Sequence, residues 1–215
     1  MEIASNFLKA FLKNTYFFCG TACGGKTTIS ELFAKKHGFL WLKEETLSKQ
    51  LPALKNPAYQ PVTCSAPNGW DEYFNRPYRD YYKWLRECMN EHIPLALLEI
   101  IQASGSKTVV ADICKMPNPM TMMELTEPNR IVFLMTSPEI VARDFYSRPS
   151  HKPIYDCIMK TRNPEKSLAN DKKMLEHKTR MYLNEVKESG LFYIMRDDNS
   201  TVENTLRLVE THFCI

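Results

Sequence analysis

Five short apolar runs punctuate the chain: "TYFFC" (15–19), "FLWL" (39–42), "KTVVADI" (107–113), "NRIVFLMT" (129–136) and "LFYIM" (191–195). They are strand-length and rich in β-branched and aromatic residues. They read as near-continuous apolar runs, which is the pattern of strands buried on both faces. Between them the apolar positions recur at helical spacing. "SNFLKAFLK" (5–13) predicts a short leading helix. Ile29, Leu32, Phe33 and Ala34 share one side of a helix running from about Gly25 to His37, and Gly38 stands where a left-handed terminating residue is wanted. Ser137-Pro138-Glu139 opens another helix, with serine as its cap and proline in the first turn. A lysine-rich helix is predicted over 165–189. The last helix begins after Ser200 or Thr201 in "STVENTLRLVETHF".

The stretch between the second and third strands differs. Prolines at 52, 57, 61 and 67 break it into loops and short helices up to about Trp70. From Asp71 to about Ser104 helical spacing returns, rich in aromatics and leucine, with Pro77 and Pro94 as starts or kinks and Gly105 at the end. Strands alternating with helices predict an α/β fold of three layers, a mostly parallel sheet covered on both faces. A helical insertion over about 43–104 interrupts it. The 215 residues suit one such domain.

Composition narrows the class a little. Apolar residues make up 44% and charged residues 25%, as in soluble globular proteins. A net charge of +3 lacks the concentrated basic face of a nucleic-acid binder and suits an anionic small molecule equally well. The longest apolar run, "IPLALLEII", contains Glu99 and falls short of the roughly 18 residues a membrane span needs. The seven cysteines include no C-x-x-C pair, and the chain shows no secretory leader. Reduced thiols in a cytoplasmic protein are expected, and no zinc site.

The chemistry sits after the first strand. Three of the seven glycines fall between 20 and 25, followed at once by a lysine and two threonines. Gly20 to Thr27 matches G-x-x-x-x-G-K-[ST] in full. Glycines there let the backbone turn so that successive N–H groups point inward, and the following helix adds its positive end. Gly20, Thr21, Ala22, Cys23, Gly24 and Gly25 form the predicted phosphate loop, and Lys26, Thr27 and Thr28 open the helix. Lys26 is expected to reach the β- and γ-phosphates, and the Thr27 hydroxyl to ligate Mg²⁺. Asp112 ends an apolar strand, the position of a Walker B aspartate that holds Mg²⁺ through water. No N-K-x-D string is present to read guanine, and no L-S-G-G-Q signature of a transporter ATPase. Ile113, not an acidic residue, follows Asp112, which argues against water as the intended nucleophile.

These residues carry a resemblance. "FFCGTACGGKTTISELFAKKHGFLWL" looks like the opening of the small P-loop kinases, the adenylate-, cytidylate- and shikimate-kinase-like proteins. "VVADICKMP" resembles their third strand, and "IVFLMTSPEIVARDFYSR" their fourth strand with the helix and lid that follow. The resemblance implies a single three-layer P-loop domain with a lid over about 143–168. It also implies ATP and Mg²⁺ as cofactors, and phosphoryl transfer to a nucleoside, a nucleotide or a hydroxylated metabolite. Arg143 and Arg148 stand in lid-type positions, with Arg162 and Arg180 as further candidates to offset phosphoryl charge. Glu44 or Glu45, directly after the second strand, would orient Mg²⁺ or the acceptor hydroxyl. Arg76 and Arg79 are candidates to grip an anionic acceptor, and the aromatics from Trp70 to Trp84 to stack on a base or sugar. A regulatory ATP-binding module without an acceptor is the alternative.

Overall fold

A computed structural model describes residues 5–43, 53, 55–65, 67–113 and 116–215. Helix α1 (Ser5–Leu12) leads into strand β1 (Thr15–Gly20), which is buried along its whole length. Helix α2 (Lys26–His37) follows the predicted loop and ends at Gly38, whose φ of 68° is the left-handed terminator expected there. Strand β2 (Leu40–Leu42) comes next. The insertion contributes α3 (Pro61–Cys64), α4 (Trp70–Asn75) and α5 (Tyr78–Ser104). Then come β3 (Val109–Asp112), α6 (Pro119–Leu125), β4 (Ile131–Thr136) and α7 (Pro138–Asp144). Helices α8 (Lys152–Ile158) and α9 (Pro164–Ser189), strand β5 (Tyr193–Arg196) and α10 (Val202–Phe213) complete the chain.

All strands pair in parallel, in the order β2-β3-β1-β4-β5. Phe17 faces Ala111 on one side and Ile131 on the other. Side chains alternate across the sheet, so two separate cores form. Phe17, Val109, Ala111, Ile131 and Phe133 pack against Ala96 and Ile100 of α5 and Tyr182 and Val186 of α9. Tyr16, Phe18, Val110, Val132 and Leu134 pack against Ile29 and Phe33 of α2 and Val209 and Phe213 of α10. These are the expected three layers. A third cluster lies beyond the loop, where Cys23 meets Phe74, Tyr81, Phe145, Ile158 and Met174.

The five strands stand where the apolar runs predict, with ends shifted by a residue or two. Sequence periodicity joins 71–104 into one helical stretch, and the structure divides it. Arg76 is extended, with ψ 154°, because the Pro77 ring disfavours helical geometry in the residue before it. Pro94 does not divide the stretch again, and α5 runs through it for 27 residues. Capping follows the expected residues. The Ser137 hydroxyl accepts from the Ile140 N–H at 3.3 Å, and Thr201 from the Asn204 N–H at 3.2 Å. Segment 143–168 is helical throughout most of its length, as two short 3₁₀ turns (Phe145–Ser147 and Pro149–His151), α8 and the start of α9. No described helix is long and apolar enough to cross a membrane.

Candidate active site

In a parallel sheet the crevice beyond the carboxyl ends of the strands is the natural ligand site. Here that end carries the 20–27 segment, packed tightly onto β4. A Cβ at Gly20 or at Gly24 would overlap the Leu134 carbonyl group, so both positions require glycine on steric grounds. Gly25 has room for a Cβ, which would touch only Arg196 Cδ at 3.9 Å, but takes φ 88°, a backbone conformation that L side chains disfavour. Cys23 is also left-handed, with φ 60°. Thr21 anchors the turn: its N–H donates to Leu134 O at 3.2 Å, and its hydroxyl accepts from the Thr136 N–H at 3.0 Å.

No side chain caps α2. The Ile29 N–H donates back to the Gly25 C=O at 3.0 Å. The amides ahead of it belong to the mouth of a helix, where donors lack intrahelical partners and an anion is welcome. Lys26 is 5% exposed, and its Nζ donates to the Thr21 carbonyl at 2.6 Å. The Thr27 hydroxyl donates to Asp112 Oδ2 at 2.7 Å, and Asp112 is fully buried at the end of β3. Two residues that lie 85 positions apart in the chain thus meet.

A cleft of about 390 Å³ opens beside this loop. Cys23, Gly24, Gly25 and Thr28 form one wall, and Arg148, Arg196, Ser200 and Thr201 the other. Burial pushes the Cys23 thiol pKa up, and the Arg148 guanidinium beside it opposes that shift. Arg148 therefore stands at the loop. Arg143 is arranged otherwise. It bonds Asp144 at 2.6 Å and Asp198 at 2.7 Å, and its hydrogen bond holds the Asp144 carboxyl below its ordinary pKa. Arg162 is largely solvent-exposed, 4.0 Å from Asp71, and Arg180 is exposed on α9.

The remaining expected residues fall elsewhere. Arg76 lies over the Trp84 ring at 4.9 Å, and exposed Arg79 donates to the Tyr78 hydroxyl at 3.1 Å. Neither lines the cleft beside the loop. Glu44 and Glu45 lie outside the described residues. Sequence reasoning missed Arg196, whose guanidinium donates to the Cys23 carbonyl at 2.5 Å and braces the loop from β5. Its signal was available, since it ends a parallel strand at the ligand-bearing edge.

No protein-family model matches the chain, and no curated protein matches its sequence. Solved structures do match. A shikimate kinase from Bacteroides thetaiotaomicron is 13% identical with a TM-score of 0.52, over 94% of this chain and 98% of that one. A shikimate kinase from Acinetobacter baumannii in complex with shikimate is 14% identical with a TM-score of 0.45, over 96% of each chain. The fold is the three-layer P-loop fold of the small kinases.

Proposed function

We propose that the chain is an ATP-dependent kinase that moves the γ-phosphoryl group of ATP to a small-molecule acceptor, a nucleoside or nucleotide before other hydroxylated metabolites. One observation carries the reading. The glycine-shaped turn, the buried Lys26 and the Thr27–Asp112 contact converge at the mouth of one uncapped helix.

In this reading the amides at the start of α2 hold the phosphates, and Lys26 leaves the Thr21 carbonyl to meet the β- and γ-oxygens. Arg196 keeps the turn in shape from behind. Thr27 and Asp112 fit Mg²⁺, since they are adjacent hard oxygen donors beside the phosphate loop. Bound there, the ion offsets phosphoryl charge. The acceptor oxygen forms a new bond to the γ-phosphorus while the bond to the β,γ-bridging oxygen breaks, and ADP leaves. The acceptor hydroxyl's proton passes to a carboxylate or to water. Glu44 or Glu45, directly after β2 in the sequence, is the proposed carboxylate. Arg148 supplies positive charge from the far wall. Arg143 joins it only by giving up its bonds to Asp144 and Asp198. Arg76 and Arg79 are held as acceptor contacts only for a substrate that reaches the α4–α5 junction.

The test is an ADP-release assay over a panel of acceptors. Turnover is expected to depend on one acceptor, and Lys26→Ala to lower kcat by about 10²–10³-fold with an unchanged melting temperature. ATP binding with no stimulation by any acceptor would leave a regulatory nucleotide-binding module instead. Full activity in Lys26→Ala would remove the phosphate loop from the mechanism.

A further inference from the structure

A second cavity, of about 480 Å³, is not part of the phosphate-loop cleft. Five aromatic rings line it among aliphatic side chains: Trp70, Tyr73 and Phe74 from α4, Tyr81 from α5, and Phe145 from the turn after α7. That turn is shared by the two cavities. Asp144, Ser147 and Arg148 line the cleft beside the loop, whereas Phe145 lines the aromatic cavity. Cys23 belongs to the same packed cluster as Tyr81 and Phe145, and Ala22 packs against it. The aromatic cavity therefore backs directly onto the phosphate loop.

Two charged side chains line it, Asp171 and Lys178, both on α9 and opposite in sign. Asp171 is 2% exposed. Its Oδ2 accepts from the Tyr146 hydroxyl. Its Oδ1, equally buried, makes no hydrogen bond of ordinary geometry among the described residues, although the Tyr81 hydroxyl lies near enough to help favour the charged carboxyl. A buried carboxylate oxygen left in that state is unfavourable, and native proteins rarely keep one without a reason. Burial pushes the Asp171 carboxyl pKa up, and a ligand N–H or O–H on Oδ1 would favour its charged form. Trp84 Nε1, in the same aromatic group, is likewise without a partner among the described residues.

We propose that this cavity binds the acceptor, and that the acceptor is an uncharged planar ring carrying an N–H or O–H that donates to Asp171 Oδ1, the form a nucleoside offers. Trp70 and Tyr73, the more exposed rings of the wall, supply stacking faces of the kind that hold a base. The volume falls within the range of small-molecule sites, about 300–1,000 Å³. The balanced pair of lining charges favours a neutral guest. The role as acceptor rests on the kinase reading, whereas the binding itself does not.

The experiment separates the two. Adenosine, guanosine, cytidine and thymidine, each 5′-monophosphate, and phenethylamine as a cationic ring are titrated calorimetrically into the full chain without ATP. One nucleoside is expected to bind at least tenfold tighter than its monophosphate and than the amine. Asp171→Asn keeps an oxygen for Tyr146 but turns the free acceptor into a donor, and it should weaken that nucleoside at least tenfold. Ile154→Trp, on a half-exposed residue of the cavity wall, fills the space without touching Asp171 and should abolish binding at an unchanged melting temperature. Should Asp171→Asn fail to fold, Ile154→Trp decides alone. The inference is overturned if no nucleoside binds, if a monophosphate or the amine binds more tightly, or if the folded variants bind as the parent does. Binding as proposed with no ADP release would overturn the kinase reading and leave the cavity assignment standing. Turnover on an acceptor indifferent to both variants would do the reverse.

Discussion

At the scale of single residues, the phosphate loop uses glycine for two different physical reasons. Gly24 is required by contact, because a Cβ there would overlap the Leu134 carbonyl. Gly25 is required by conformation, because it turns at φ 88° with no neighbouring backbone in the way. The two substitutions should therefore differ. Gly25→Ala is expected to cost about 1–2 kcal/mol, the strain of one L residue in the left-handed region. Gly24→Ala must push the loop off β4 and break the Thr21–Leu134 bond as well, at about 3 kcal/mol or more. Urea unfolding of the two variants measures this. A Gly24→Ala variant as stable as Gly25→Ala would mean that the loop does not sit against β4 as described.

At the scale of elements, what aims the loop is the docking of α2, the helix it opens. That helix is held to α10 by Glu210, which takes Lys36 Nζ at 2.8 Å and His37 Nε2 at 2.9 Å. The hydrogen bond from Lys36 and then that from His37 hold the Glu210 carboxyl below its ordinary value of 4.5, against the cost of burial. A depressed folded-state pKa stabilises above the unfolded pKa and loses that stabilisation as pH falls through the folded one. Glu210→Gln should thus cost roughly 1 kcal/mol near neutral pH. Below about pH 4 the cost should shrink, because protonation has already removed the parent's advantage. A cost that does not shrink in acid would show that the pairing is not what Glu210 contributes. The strands and the loop were legible because their information is local. Apolar runs mark strands covered on both faces, and the glycine spacing marks a turn. Arg76–Pro77 was legible as a start or kink for the same reason. The aromatics from Trp70 to Tyr81 were legible as stacking candidates, but the cavity they form with Phe145 and Asp171 was not. Tyr146 meets Asp171 from 25 positions away and Arg196 meets Cys23 from 173, and neither pairing leaves a periodic trace in the chain.

At the scale of the whole molecule, the 144–148 turn is the shared boundary between the loop-side cleft and the aromatic cavity. Occupation of one side should be felt on the other through this turn. A non-hydrolysable ATP analogue at about 100 times its Kd stabilises the folded chain by about 2.7 kcal/mol through mass action alone. That gain says nothing about where the molecule tightens, and amide exchange does. With the analogue bound, exchange should slow at 25–28, where the amides at the start of α2 meet phosphate. It should also slow across 144–158, because Arg148 is drawn toward the new negative charge and carries the turn with it. Arg148→Ala should keep the first protection and lose the second. Arg143→Ala should keep both, since that side chain is occupied by Asp144 and Asp198. If 144–158 exchanges at the same rate with and without the analogue, the segment is a fixed wall rather than a lid. Water exclusion would then have to come from the acceptor itself.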